Sequence, residues 1–116
     1  MCTKSQLEAI EEEMVNYYRS VYGDSIDTII LYGSYARGDY SDDSDIDITA
    51  IVRGNRVELQ KKLKKMWDFS TEVGLAYDVI VSPTVIPYDE FEQYKEKLPY
   101  YRNIVKEGRK IGWSGI

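Results

Sequence analysis

Residues 29–52 read IILYGSYARGDYSDDSDIDITAIV. An apolar strand, Thr28 to Leu31, ends at Tyr32; a Gly33-Ser34 turn, a short polar segment and a second strand, Asp45 to Val52, follow. Strand side chains alternate faces with period two. Asp45 and Asp47 therefore point one way, and Ile46 and Ile48 point the other, into a core. Two carboxylates on one strand face, about 7 Å apart at the backbone, can converge on a pair of hard cations. Magnesium takes oxygen ligands and usually binds through one or two carboxylates plus substrate phosphates. Paired ions can activate an attacking oxygen and stabilise a leaving one. Glycine at 33 permits a sharp turn and close backbone approach to a ligand. Ser34 offers a hydroxyl and an N–H, and a helix begun within Tyr35 to Gly38 would aim free N–H groups at an anion. Arg37 adds a cation suited to phosphate. The order suits a nucleoside triphosphate and its magnesium ions.

Simpler readings compete. An acidic loop such as Asp39 to Asp45 is ordinarily a solvated turn, and Asp42 and Asp43 read that way. A calcium loop begun at Asp43 would need glycine where Ile48 stands and a bidentate Glu where Gly54 stands, so it fails. Gly-Ser after a strand is weak alone, and so is Asp-x-Asp. Together, at this spacing and between two apolar strands, they are specific.

Gly33-Ser34, ten residues, Asp45, one residue, Asp47 resembles the G-S-x10-D-x-D signature of the DNA polymerase β nucleotidyltransferase superfamily. GSYARGDYSDDSDIDI looks like its smallest members, the minimal nucleotidyltransferases, and the likeness extends to chain length and element order. It implies a polymerase β palm-like fold. It implies that Gly33 and Ser34 contact the triphosphate, with Arg37 and Ser44 as further nucleotide-binding candidates. It implies that Asp45 and Asp47 bind two Mg2+ ions, and that a third carboxylate on a later strand shares a metal and takes the acceptor's proton.

The rest of the chain bounds these expectations. At 116 residues it reads as one domain, able to bury roughly 65% of its unfolded surface. A net charge of −5 argues against a general grip on nucleic acid, so no direct DNA binding is expected. No run of about 18 apolar residues suggests a membrane span. MCTKSQLEAIEEE has no apolar signal region. The single cysteine, Cys2, has no internal disulfide partner, which fits a reducing cytoplasm, and its terminal position makes it a poor nucleophile. The absence of histidine removes Ser-His-Asp and Cys-His catalysis in cis and, with one cysteine, ordinary zinc sites. Carboxylates must carry any acid–base chemistry.

In chain order, Thr3 to Tyr22 reads as a helix with Leu7, Ile10, Met14, Tyr17 or Tyr18 and Val21 inward. Ser5 and Glu8 form a candidate capping box, Glu11 to Glu13 read as solvated, and Gly23 ends the helix. Arg53-Gly54-Asn55 is a turn. A second helix runs from Arg56 to about Phe69, with Lys61, Lys62, Lys64 and Lys65 as solubilising charge or a docking patch for an acidic partner or RNA. Thr71 to Gly74 reads as a turn and Leu75 to Val81 as a third strand. Asp78 lies mid-strand, where an unpaired buried carboxylate is costly; the third-carboxylate role of the resemblance falls on it. Ser82-Pro83 and Pro87 bound a loop. Tyr88 to Leu98 and Tyr100 to Glu107 read as helices, the second begun by Pro99 and stopped by Gly108. The tail RKIGWSGI is a short strand or frays. Tyr100, Tyr101 and Trp113 could stack on a base or pack in a core.

The expectation is an α/β chain with a small mixed sheet, on one face of which Asp45, Asp47 and Asp78 gather. The resemblance implies transfer of AMP from ATP to a hydroxyl. The chain is short for a substrate-binding domain of its own, which points to an acceptor presented by a partner. For minimal nucleotidyltransferases the implied partner is a HEPN-domain RNase toxin, adenylylated on a tyrosine, with this chain as antitoxin. The alternatives are a non-catalytic antitoxin that masks its partner and an antibiotic-type enzyme acting on a small molecule.

Overall fold

The computed structural model describes residues 3–113, without the Trp113 side chain. Cys2 and the stacking expected of Trp113 lie outside the described residues. Helix α1 (Lys4–Tyr22) is capped by Thr3, whose hydroxyl accepts from the Gln6 N–H while the Gln6 side chain accepts from the Thr3 N–H. The capping box therefore lies two residues before the expected Ser5–Glu8 pair. Gly23 ends the helix at φ 61°, a backbone angle costly to residues with a Cβ. Ile10, Met14, Val15, Tyr18 and Tyr22 are buried along it. Glu11, expected in solvent, is also buried and pairs with Arg109 at 2.5 Å. That ion pair ties the helix to the chain's last strand.

Strand β1 (Ile26–Tyr32) leads through α2 (Ser34–Arg37) to β2 (Ile46–Val52). After α3 (Arg56–Tyr77) come β3 (Val81–Pro87), α4 (Tyr88–Tyr94), α5 (Pro99–Glu107) and β4 (Arg109–Trp113). The sheet order is β3-β2-β1-β4. β1 runs antiparallel to β2 and β4, and β2 parallel to β3. Parallel neighbours need a long crossover, and α3 supplies it. The mixed sheet is as expected, and the tail forms an edge strand.

The middle of the chain departs from expectation. α3 does not stop near Phe69; it runs through the expected 71–74 turn and into the expected third strand as far as Tyr77. The true third strand occupies the expected 82–87 loop. Gly74 is a packing glycine, not a turn: a Cβ there would stand 2.5 Å from the Val79 carbonyl oxygen. Pro83 pairs with Ile48 and is fully buried. A strand prolyl residue is tolerated because β3 is an edge, where a missing donor breaks no inner ladder.

Helices cover both faces. Ile29, Leu31, Ile46, Ile48, Ala50 and Val85 pack with the buried residues of α1 and α3. Ile30, Ile51 and Ile86 pack with Phe91, Tyr101 and Ile104 of α4 and α5. Tyr18, wholly buried, reaches from α1 across the first face. Its hydroxyl donates to the Thr84 carbonyl at 2.8 Å, with the Ile48 carbonyl at 3.2 Å. Tyr18→Phe is expected to cost about 1–2 kcal/mol, because it strips a buried hydrogen bond and fills no space. Urea melts with an unchanged m-value would measure the loss.

Candidate active site

Gly33 is the residue on which the site closes. Tyr32, at the end of β1, is paired in register with Asp47 on β2, so the next residue along must turn past that carboxylate. Gly33 does so at φ 76°, ψ −157° and begins α2. A Cβ added to it would lie 2.5 Å from Asp47 Oδ2. The carboxylate therefore fills the space that a side chain at 33 would take. The helix expected at 35–38 begins at Ser34, and Gly38 ends it in the left-handed conformation.

Asp45, just ahead of β2, and Asp47, within it, are both half-buried. Burial, then the neighbouring Asp45 charge, push the Asp47 carboxyl above its ordinary value, against a smaller pull from Arg37. Two oxygen-donor side chains two residues apart, one of them filling the space that a side chain at Gly33 would take, fit a hard divalent cation. The cation would relieve the repulsion that the pair carries alone.

Arg37 is exposed and held by two carboxylates. Its Nε donates to Asp39 Oδ2 and its Nη1 to Glu107 Oε2, both at 3.2 Å. Glu107 comes from the end of α5, so the C-terminal helix leans on the turn. The Tyr32 and Tyr100 hydroxyls are 2.9 Å apart. Burial, then the Tyr100 hydrogen bond, keep the Tyr32 phenol protonated well above its ordinary value. Tyr32, Arg37, Tyr100 and Glu107 share the lining of a small hollow, about 150 Å³, beside Gly33. Ser44 is engaged inside its own loop, where its hydroxyl accepts from the Ser41 N–H at 2.9 Å.

Asp78 is not where the sequence places it. It follows α3 as the C-cap, at φ 57°, and is exposed. The burial argument for it therefore falls. β3 contains no carboxylate, and Ser82 is the residue paired with Asp47. Among the described residues no three acidic, His or Cys side chains stand together to hold one metal ion. Asp45 and Asp78 instead border the same open hollow, about 750 Å³, between α3 and the 42–45 loop. Sequence reasoning missed Glu107 and the Tyr32–Tyr100 pair, whose partners are 70 and 68 positions apart with no local pattern linking them.

Residues 8–111 match the family model described as nucleotidyltransferase domain. Two relatives from Methanocaldococcus jannaschii, each provisionally named a protein adenylyltransferase, are similar. One is 36% identical over 100 residues, covering 86% of this chain and 92% of the relative. The other is 32% identical over 97 residues, covering 76% and 96%. Among solved structures, a toxin–antitoxin with AMP-PNP shares the fold at TM-score 0.56 and 16% identity, over 93% of this chain and 74% of that one. The toxin–antitoxin MntA-HepT does so at TM-score 0.52 and 14% identity, over 92% and 73%. The Gly33 turn, the paired carboxylates at the start of β2 and the family match agree: this chain belongs to the nucleotidyltransferase domain family and is a nucleotidyltransferase.

Proposed function

We propose that the chain moves AMP from ATP to a hydroxyl of a partner protein, a tyrosine of a HEPN-type RNase, and so acts as an antitoxin. The observation that carries this reading is the Gly33 turn packed against Asp47, with Asp45 two residues before it: a backbone turn open to close approach beside a carboxylate pair. The relatives' names support protein as acceptor, and toxin–antitoxin assemblies, one holding AMP-PNP, share the fold.

In this reading the acceptor hydroxyl releases its proton to solvent, assisted by Asp78, its oxygen forms a bond to the α-phosphorus, the bond from that phosphorus to the bridging oxygen breaks, and pyrophosphate leaves with the electron pair. Asp45 and Asp47 hold Mg2+; when bound, it supplies charge neutralisation along the triphosphate and at the reacting oxygens. Gly33 and Ser34 let the backbone approach the phosphates. Arg37 exchanges its carboxylate partners for phosphate, which a guanidinium grips through two N–H groups. Such chemistry is mostly positioning and charge compensation.

In this reading Asp78, which borders the same hollow as Asp45, serves the acceptor side and not the cations. Asp78→Asn is expected to keep the fold, because Asn tolerates the left-handed backbone. It should lower transfer by about tenfold or less, against about 10³-fold for Asp47→Asn. Equal losses in single-turnover assays would return Asp78 to the cation site.

The deciding experiment is the intact mass of a HEPN-domain RNase co-expressed with this chain or with its Asp47→Asn variant. Added AMP with the wild type alone is the expected result. An unchanged mass in a tight complex would replace transfer by masking, and AMP found only on a small alcohol would replace the protein acceptor.

A further inference from the structure

The hollow beside Asp45 is lined by three of the exposed large apolar side chains: Trp67, Leu75 and Ile80, at 44%, 80% and 62% exposure. Among the described residues, Leu75 and Ile80 are the most exposed of the large hydrophobics. Apolar groups gathered in one concavity, unlike apolar residues scattered singly, mark a contact surface. The rim is of one sign: Asp43, Asp45 and Asp78 border the hollow, and no lysine or arginine does. The four lysines of α3 are exposed elsewhere on that helix and do not line it. A nucleic acid backbone would be repelled here, whereas a cationic protein segment would be drawn in.

Asp45 borders this hollow and stands two residues before Asp47, the other half of the proposed cation-holding pair. Whatever fills the hollow therefore presents its neighbouring groups to the cation site. A volume of about 750 Å³ takes a few side chains of one segment. We propose that this hollow is the docking site of the acceptor protein, which seats an apolar side chain on Trp67, Leu75 and Ile80, flanks it with Lys or Arg against the acidic rim, and so delivers the adjacent hydroxyl to Asp45 and Asp47. The proposal rests on the protein-acceptor reading, and names the chemistry by which the acceptor is chosen.

The test uses two synthetic peptides with the same Leu-Leu-Tyr centre, one flanked by lysines and one by glutamates. Binding is read from the emission of Trp67, with Trp67→Phe to assign the signal against the second tryptophan. The lysine peptide should shift the emission to the blue and bind at least about tenfold tighter than the glutamate peptide, the margin shrinking as salt rises. Leu75→Ser with Ile80→Thr should weaken it about tenfold or more. Affinity for a non-hydrolysable ATP analogue should not move, and both sites are exposed enough that the fold is not at stake. Equal affinity for both peptides, no saturable binding, or a double variant that binds like the wild type would overturn the proposal. So would a concentration-dependent dimer lost in the double variant, which would make a second copy the occupant. Peptide binding as expected, with no AMP transferred to any hydroxyl, would overturn the transfer reading and leave the docking surface standing.

Discussion

Asp47→Asn is expected to abolish nucleotidyl transfer while making the ligand-free protein more stable. Transfer should fall by about 10³-fold or more, because the variant loses one of the two negative charges proposed to hold the cations of a triphosphate. Stability should move the other way. The carboxyl of Asp47 is raised above its ordinary value by burial and by Asp45, so the folded state favours its neutral form more than the unfolded chain does. The stability that a neutral Asp47 gives is present below the unfolded-state value and is lost as pH rises through the folded one. At neutral pH the wild type carries that loss and an amide does not. Asp47 is only half-buried, so a fraction of a kcal/mol remains after solvent screening, about 2–4 °C in melting temperature. The gap should close as the pH falls through the carboxylate range.

Adding Mg2+ and a non-hydrolysable ATP analogue should reverse the order of the two melting curves. A ligand at a hundred times its dissociation constant adds about 2.7 kcal/mol to the state that binds it. The wild type gains this and the variant gains little. Functional sites commonly hold such local destabilisation. A variant no more stable than the wild type without ligand would show that the carboxylate pair carries no strain. A variant stabilised equally by the ligand would remove Asp47 from the cation site.

The legible part of the site is local. Gly33, Ser34, Asp45 and Asp47 fall within one strand–turn–strand unit, where spacing alone puts both carboxylates at the same strand end. The illegible part depends on distant packing. Ser70 interrupts the apolar stripe of α3 in the sequence, yet Leu59, Leu63, Met66, Ser70 and Val73 are buried at alternating spacings of four and three. Gly74 imitates a helix stop because nothing local reveals the Val79 carbonyl packed against it. Pro83 imitates a loop because its edge position follows from the strand order, not from its neighbours. Those two residues together set the expected third strand six positions too early at its start and put Asp78 inside it. Glu107 on Arg37 ties the end of α5 to the end of α2, 70 positions earlier, and no periodicity encodes it.

Gly33→Ala is expected to disable the site with both carboxylates still present. Two costs fall on that one methyl group. The backbone at φ 76°, ψ −157° lies in a region held almost entirely by glycine, and an L residue there costs about 1–3 kcal/mol. The methyl carbon would also stand 2.5 Å from Asp47 Oδ2. A short carboxylate side chain can swing away from such a contact, so the fold survives, but the swing takes the oxygen off the position proposed to hold a cation. Transfer should drop by about 10²-fold or more, since small misplacement of a catalytic group costs that much. Gly38→Ala separates the two costs. Gly38 also has a positive φ, 87°, but a Cβ there meets nothing within 4 Å. It should lower the melting temperature through backbone strain while leaving most of the transfer rate. If the two alanine variants lose transfer alike, the turn acts through its backbone shape alone. If only Gly33→Ala loses it, with weaker Mg2+ binding by calorimetry, the contact with Asp47 is what makes this glycine part of the catalytic machinery.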